Sequence, residues 1–121
     1  MKILLSLILL ISSYAQATDN WTTGDTYREL TFQTLNIIDW GQTRYIAKNP
    51  DQFYESESAW IIGNHPSIET VDTFMLVSAI LHPVIAYYLP SSWRLAFQYI
   101  TIGDKLNATA GNASIGIRMS F

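Results

Sequence analysis

A chain of 121 residues has room for one domain. Apolar residues make up 49% of it and charged residues only 14%, too few to clothe a small domain in charge the way an average soluble domain is clothed. A net charge of −3, with seven scattered Lys and Arg, argues against a nucleic-acid surface, and the lack of Cys excludes disulfides, thiolate chemistry and cysteine-ligated zinc.

The N-terminus has the order of a bacterial secretory signal. Met1-Lys2 is a short positive start, residues 3–11 are apolar except for Ser6, and Ala15-Gln16-Ala17 is a small-x-small cleavage pattern. Cleavage before Thr18 would leave a single helical domain, residues 18–121. The alternative is an uncleaved anchor.

Residues 25–48 are expected to form one long helix. Thr22, Thr23 and Asp25 are candidate caps, and Asp25 and Glu29 suit the positive end of the helix dipole. One stripe is Phe32, Leu35, Asp39, Gln42 and Ile46; the other side carries Tyr27, Leu30, Ile37, Ile38, Gly41 and Tyr45. A helix apolar on both sides needs neighbours on both sides or a membrane surface. Gly41 weakens the helix and marks either a close contact or a kink. Asn49-Pro50 ends the element.

Residues 51–66 form a connection with three acidic residues, an apolar patch around Trp60 and a Gly63-Asn64-His65-Pro66 turn. Ser67 is the expected cap of a second helix, which has no charged side chain from Thr73 through Leu89. Those 17 residues span about 25 Å, the short limit for crossing a bilayer. Pro83 bends this helix, and Tyr87, Tyr88 and Trp93 cluster at one end, as aromatic rings do at a membrane interface. Pro90-Ser91-Ser92 is a tight break, with Ser91 or Ser92 capping a third helix over 93–105 that returns antiparallel to the second. Residues 106–114 either extend that helix or turn back as a loop. Residues 115–121 alternate as a short extended tail would, but no period-two alternation upstream supports a barrel.

Six polar residues are candidates for a buried polar network or binding site: Asp39, Gln42, His65, His82, Arg94 and Gln98. His82 lies within the uncharged run, where a polar ring needs a partner or a cavity. Asp39 lies on an apolar stripe and needs a donor; His82, Arg94 or Gln98 could supply one, and the Asp39–His82 pair is the favoured match. The bland reading of His82 is a ring bonded to a carbonyl freed by Pro83. His65 lies near Asp51, Glu55, Glu57 and Asp72 in sequence, but without metal-ligand spacing. No metal, cofactor or catalytic residue is expected.

The segment Asp39-Trp-Gly-Gln-Thr-Arg-Tyr-Ile-Ala-Lys-Asn-Pro50, followed by Ile62-Gly-Asn-His-Pro-Ser67, resembles a family of short uncharacterised proteins from bacteria and their phages. The resemblance runs from Asp39 to Phe121 and differs at Ser58-Ala-Trp60. It implies a membrane-like helical hairpin and an apolar tail ending in Phe, with no known activity.

These readings converge on an all-α protein of the bacterial envelope, with a signal peptide, one long amphipathic helix and a membrane-like hairpin. The leading function is structural or interactive, with membrane lipid as partner, alongside a further envelope protein or a second copy. Two other classes remain: a soluble periplasmic domain that binds an apolar ligand or protein, and an enzyme built on Asp39 and His82.

Overall fold

The computed structural model describes residues 20–121; the signal-like segment lies outside them. The described chain is all-helical: α1 (Thr23–Lys48), α2 (Ala59–Ile62), α3 (Ile68–Tyr88) and α4 (Ser91–Ser114).

Local chemistry sets the ends. At the start of α1, Thr22 and Asp25 form a reciprocal capping box: the Asp25 N–H donates to Thr22 Oγ1 at 3.1 Å and the Thr22 N–H to Asp25 Oδ2 at 2.9 Å. Asn49 closes the helix. Ser67 caps α3 by accepting from the Thr70 N–H at 3.1 Å. Helix α4 departs from expectation at its start: it begins at Ser91, and its N-cap is Pro90 with no side-chain cap. Of the two readings of the small polar segment it takes the extension, running unbroken to Ser114. Its end is a Schellman turn. Gly116 takes φ +88°, the Gly116 N–H reaches Ala113 O at 3.2 Å, and the Ile117 N–H reaches Asn112 O at 3.0 Å.

The three long helices pack up-down-up. Side-chain bonds from α1 to α3 pair Glu29 with His82, Gln33 with Ala79, Asn36 with Met75 and Arg44 with Asp72, so these two helices are antiparallel. Bonds from α1 to α4 pair Asp25 with Arg94, Asp39 with Lys105 and Gln42 with Thr109, so these two run parallel. Helices α3 and α4 run in opposite directions, joined through Arg94 to Ala86 and His82 to Thr101.

The tail is not a strand. No strand occurs among the described residues, and 115–121 instead lies across α1. The Ser120 N–H donates to Gly41 O at 2.9 Å, and Lys48 Nζ donates to Ser120 Oγ at 2.9 Å. A Cβ on Gly41 would lie 2.8 Å from Phe121 Cε2 and 3.0 Å from Met119 Cβ. Gly41 therefore admits the tail, rather than a second helix or a kink.

The connection between α1 and α3 is closed on itself. The Glu55 N–H donates to Asn64 O at 2.7 Å and Asn64 Nδ2 returns to Glu55 O at 3.1 Å. Gly63, at φ +82°, permits the turn out of α2.

Candidate functional site

The seam of α1 that faces its neighbours is Asp25, Glu29, Phe32, Asn36, Asp39, Thr43 and Ile46, all buried. The spacing alternates four and three, the seam of a coiled coil, yet most of its members are polar. The facing seams continue the theme with His82 on α3 and with Arg94, Gln98 and Thr109 on α4. Phe32, Ile46, Val71, Met75 and Ile102 are buried with them, but many large apolar side chains face the other way. Arg94 and Gln98 are 0% exposed, whereas Leu30 is 57%, Ile80 57% and Ile100 64% exposed. For these residues the usual distribution of polarity is inverted.

The interior is satisfied in layers. At one end the Arg94 guanidinium reaches Asp25 Oδ2 at 2.9 Å, Ala86 O at 2.7 Å and Leu89 O at 3.1 Å, so one side chain neutralises a carboxylate and caps the last turn of α3. Arg28 bridges Asp25 at 2.5 Å and Gln98 Oε1 at 2.8 Å. One turn inward, His82 Nδ1 lies 2.8 Å from Glu29 Oε2 and its Nε2 lies 2.7 Å from Thr101 Oγ1. The imidazole is stacked between Phe32, with centroids 3.4 Å apart, and Phe97, at 4.6 Å. Further along, Lys105 Nζ meets Asp39 Oδ2 at 2.5 Å, and Gln42 joins Thr109 O and Asn112. At the far end Arg44 Nη1 meets both oxygens of Asp72 at 2.6 Å, and Trp40 Nε1 donates to Oδ1 at 2.7 Å.

These layers balance. Four carboxylates (Asp25, Glu29, Asp39, Asp72) face four basic side chains (Arg28, Arg44, Arg94, Lys105), and the His82 ring bonds Glu29. Buried charge is tolerated when it is paired, and these charges are; among the described residues two buried polar atoms, Asn36 Oδ1 and Arg44 Nε, stay without a hydrogen-bond partner.

His82 has a defined chemistry. A carboxylate only accepts, so Nδ1 carries a proton toward Glu29. In the neutral ring, Nε2 then accepts from the Thr101 hydroxyl. If the ring gains a second proton, Nε2 donates and the hydroxyl turns to Phe97 O, 2.8 Å away. The order carboxylate, imidazole, hydroxyl is that of a nucleophilic triad. Here both ring faces are covered by Phe, and the hydroxyl lies folded against its own helix.

The expected site residues are distributed as follows. Asp39, Gln42, His82, Arg94 and Gln98 line the interior; His65 is exposed on the loop before α3. The favoured Asp39–His82 pair does not form. His82 takes Glu29 and Asp39 takes Lys105, because the antiparallel register of α1 and α3 puts His82 level with Glu29 and Met75 level with Asn36. Arg94 and Gln98 likewise serve Asp25 and Arg28 rather than Asp39. The carbonyl that Pro83 leaves free, Ala79 O, is bonded by Gln33 Nε2 at 2.9 Å, not by His82. Sequence reasoning missed Asp25, Glu29, Gln33 and Lys105. Their signal was available: Asp25, Glu29, Asn36 and Asp39 share one heptad seam of α1.

Around His65 the acidic residues are committed elsewhere. Glu55 accepts from the Ser58 N–H at 3.0 Å and Asp72 is held by Arg44. Burial pushes the Glu55 carboxyl above its ordinary value; the Ser58 bond opposes this, and repulsion from Asp39 and Glu57 adds to it. Among the described residues no group of three or more His, Asp or Glu is placed to hold a metal.

No protein-family model, curated protein or solved structure matches the chain.

Proposed function

We propose that this chain is a small membrane-embedded protein of the bacterial envelope, structural or interactive in role, with lipid as the medium around its three long helices. The observation that carries this reading is the partial inversion: ion-paired and hydrogen-bonded side chains run through the interior, while many large apolar side chains lie outside. In water that arrangement leaves Leu30, Ile80 and Ile100 hydrated, at about 25 cal/mol for each Å2 of apolar surface. In hydrocarbon it leaves them in their own medium, while the costly polar groups keep their partners inside the bundle.

Two further observations support it. Helix α3 is long and apolar enough to cross a membrane, yet only 17% of its most apolar window is buried within the bundle; the core helix of a water-soluble protein would be mostly buried. Outward-facing hydroxyls need no water. Thr31 donates to Tyr27 O and Thr34 to Leu30 O, each at 2.8 Å, so they are satisfied on their own helix.

Fractionation tests the reading. After carbonate washing the full chain stays with the membrane pellet and is released by detergent. Recovery in the soluble fraction as a folded monomer overturns the proposal.

A further inference from the structure

We propose that the apolar belt of this bundle fits a bilayer thinner than an ordinary one, and that the protein therefore selects or creates thin membrane. The inference rests on the membrane reading above and adds the kind of bilayer to it.

The belt can be measured along each helix. On α3 the exposed apolar residues run from Leu76 to Tyr88, about 18 Å at 1.5 Å per residue. On α1 they run from Tyr27 to Ile37, about 15 Å, and on α4 from Trp93 to Leu106, about 20 Å. The hydrocarbon core of a typical bilayer is about 30 Å.

Both edges of the belt are marked. At one edge Tyr87, Tyr88 and Trp93 project outward around the Asp25–Arg94 layer, where amphipathic rings belong at an interface. At the other edge Lys105 Nζ lies 4.0 Å from Met75 Sδ, and its neighbour Asp104 is exposed. Exposed Thr73 lies half a turn beyond Met75, and Asp72 follows. Ile61 and Ile62 of the short helix line the same surface groove as Thr73.

Two responses to a short belt, tilting and snorkelling, are closed. Tilting would shorten its projection further. Asp72 cannot reach outward to a headgroup, because Arg44 and Trp40 hold both its oxygens. Asp104 has too short a side chain to snorkel. The bilayer then adapts to the protein.

The test uses the full chain in vesicles of phosphatidylcholine with monounsaturated chains of 14, 18 or 22 carbons. The chain has no cysteine, so Ile80→Cys, at mid-belt, can carry one polarity-sensitive fluorophore. The fraction of label in hydrocarbon is expected to be at least about threefold lower in 22-carbon than in 14-carbon vesicles. Adding Thr73→Leu and Asp104→Leu, both at exposed positions, lengthens the belt and should move the optimum to 18 carbons. Equal immersion at all three lengths, or no shift with the longer belt, overturns the thickness inference and leaves the membrane reading standing. No immersion at any length overturns both.

Discussion

Gln33 supplies the hydrogen bond that Pro83 removes. Proline has no N–H to offer the carbonyl four residues earlier, Ala79 O, and Gln33 Nε2 donates to that oxygen from the neighbouring helix at 2.9 Å. Its second amide hydrogen goes to Glu29 Oε1, also at 2.9 Å, so one side chain joins the break in α3 to the His82 layer. Gln33→Leu is expected to destabilise the bundle by about 1–2 kcal/mol, mainly through the orphaned carbonyl. Pro83→Ala restores a backbone donor to Ala79 O. In that background the same Gln33 substitution should cost clearly less. Denaturant unfolding in detergent, followed by far-ultraviolet dichroism, measures both. Equal losses in the two backgrounds would show that the carbonyl is not what Gln33 serves.

Gly41→Ala tests the tail. The added methyl meets Met119 Cβ at 3.0 Å and the Phe121 ring at 2.8 Å, distances that ordinary packing does not tolerate. Helix propensity alone would favour Ala by about 1 kcal/mol. The steric term opposes that gain and lifts the tail off α1. The Ser120–Gly41 bond and the Lys48 contact with Phe121 O go with it. The expected result is faster carboxypeptidase trimming of the last residues, with the helical signal retained. Trimming at the unchanged rate refutes the close approach.

Arg94→Lys should be far from conservative. The guanidinium serves Asp25, Ala86 O and Leu89 O at once, from a fully buried position stacked 5.1 Å from the Trp21 ring. A lysine keeps the charge but not the planar fork. We expect a loss of about 2–4 kcal/mol for Arg94→Lys and about 3–5 kcal/mol for Arg94→Met, which leaves the buried Asp25 carboxylate with Arg28 as its one cation. Adding Asp25→Asn to Arg94→Met should recover part of the loss, because the carboxylate that has lost one of its two cations is gone. A double substitution no more stable than Arg94→Met would assign the loss to the carbonyl caps instead.

Much of the helical frame could be read from residue types, because caps and breakers act within a few positions. Ser67 and Asn49 act where their chemistry predicts. Partners across the bundle could not be read the same way. Asp25 and Glu29 sit in the first turns of α1, where the helix dipole already accounts for acidic residues, yet they are also the buried partners of Arg94 and His82. Asp39 lies ten residues beyond Glu29, about 15 Å along the helix. No substitution of one acid for the other is possible once the α1–α3 register is set. Lys105 is legible as a donor to Asp39 only once the α1–α4 register is known, because nothing local to residue 105 points across the bundle.

Glu55 gives the chain a pH dependence opposite to that of a salt-bridged acid. Its carboxyl is raised above the ordinary 4.5, chiefly by burial, in the closed loop between α1 and α3. Below about pH 4.5 the group is protonated folded or unfolded, and its contribution to stability is fully present. As pH rises from there toward the folded-state value, the unfolded chain ionises first and the fold loses stability; above that value the loss is constant. Glu55→Gln keeps an acceptor for the Ser58 N–H at 3.0 Å and removes the ionisation. The substitution should therefore be near neutral at pH 4 and stabilising at pH 7. Melting temperatures of the two proteins in detergent, taken at both values, decide it: a Gln variant less stable than the parent at pH 7 would mean that the charged carboxylate is what the loop is built to hold.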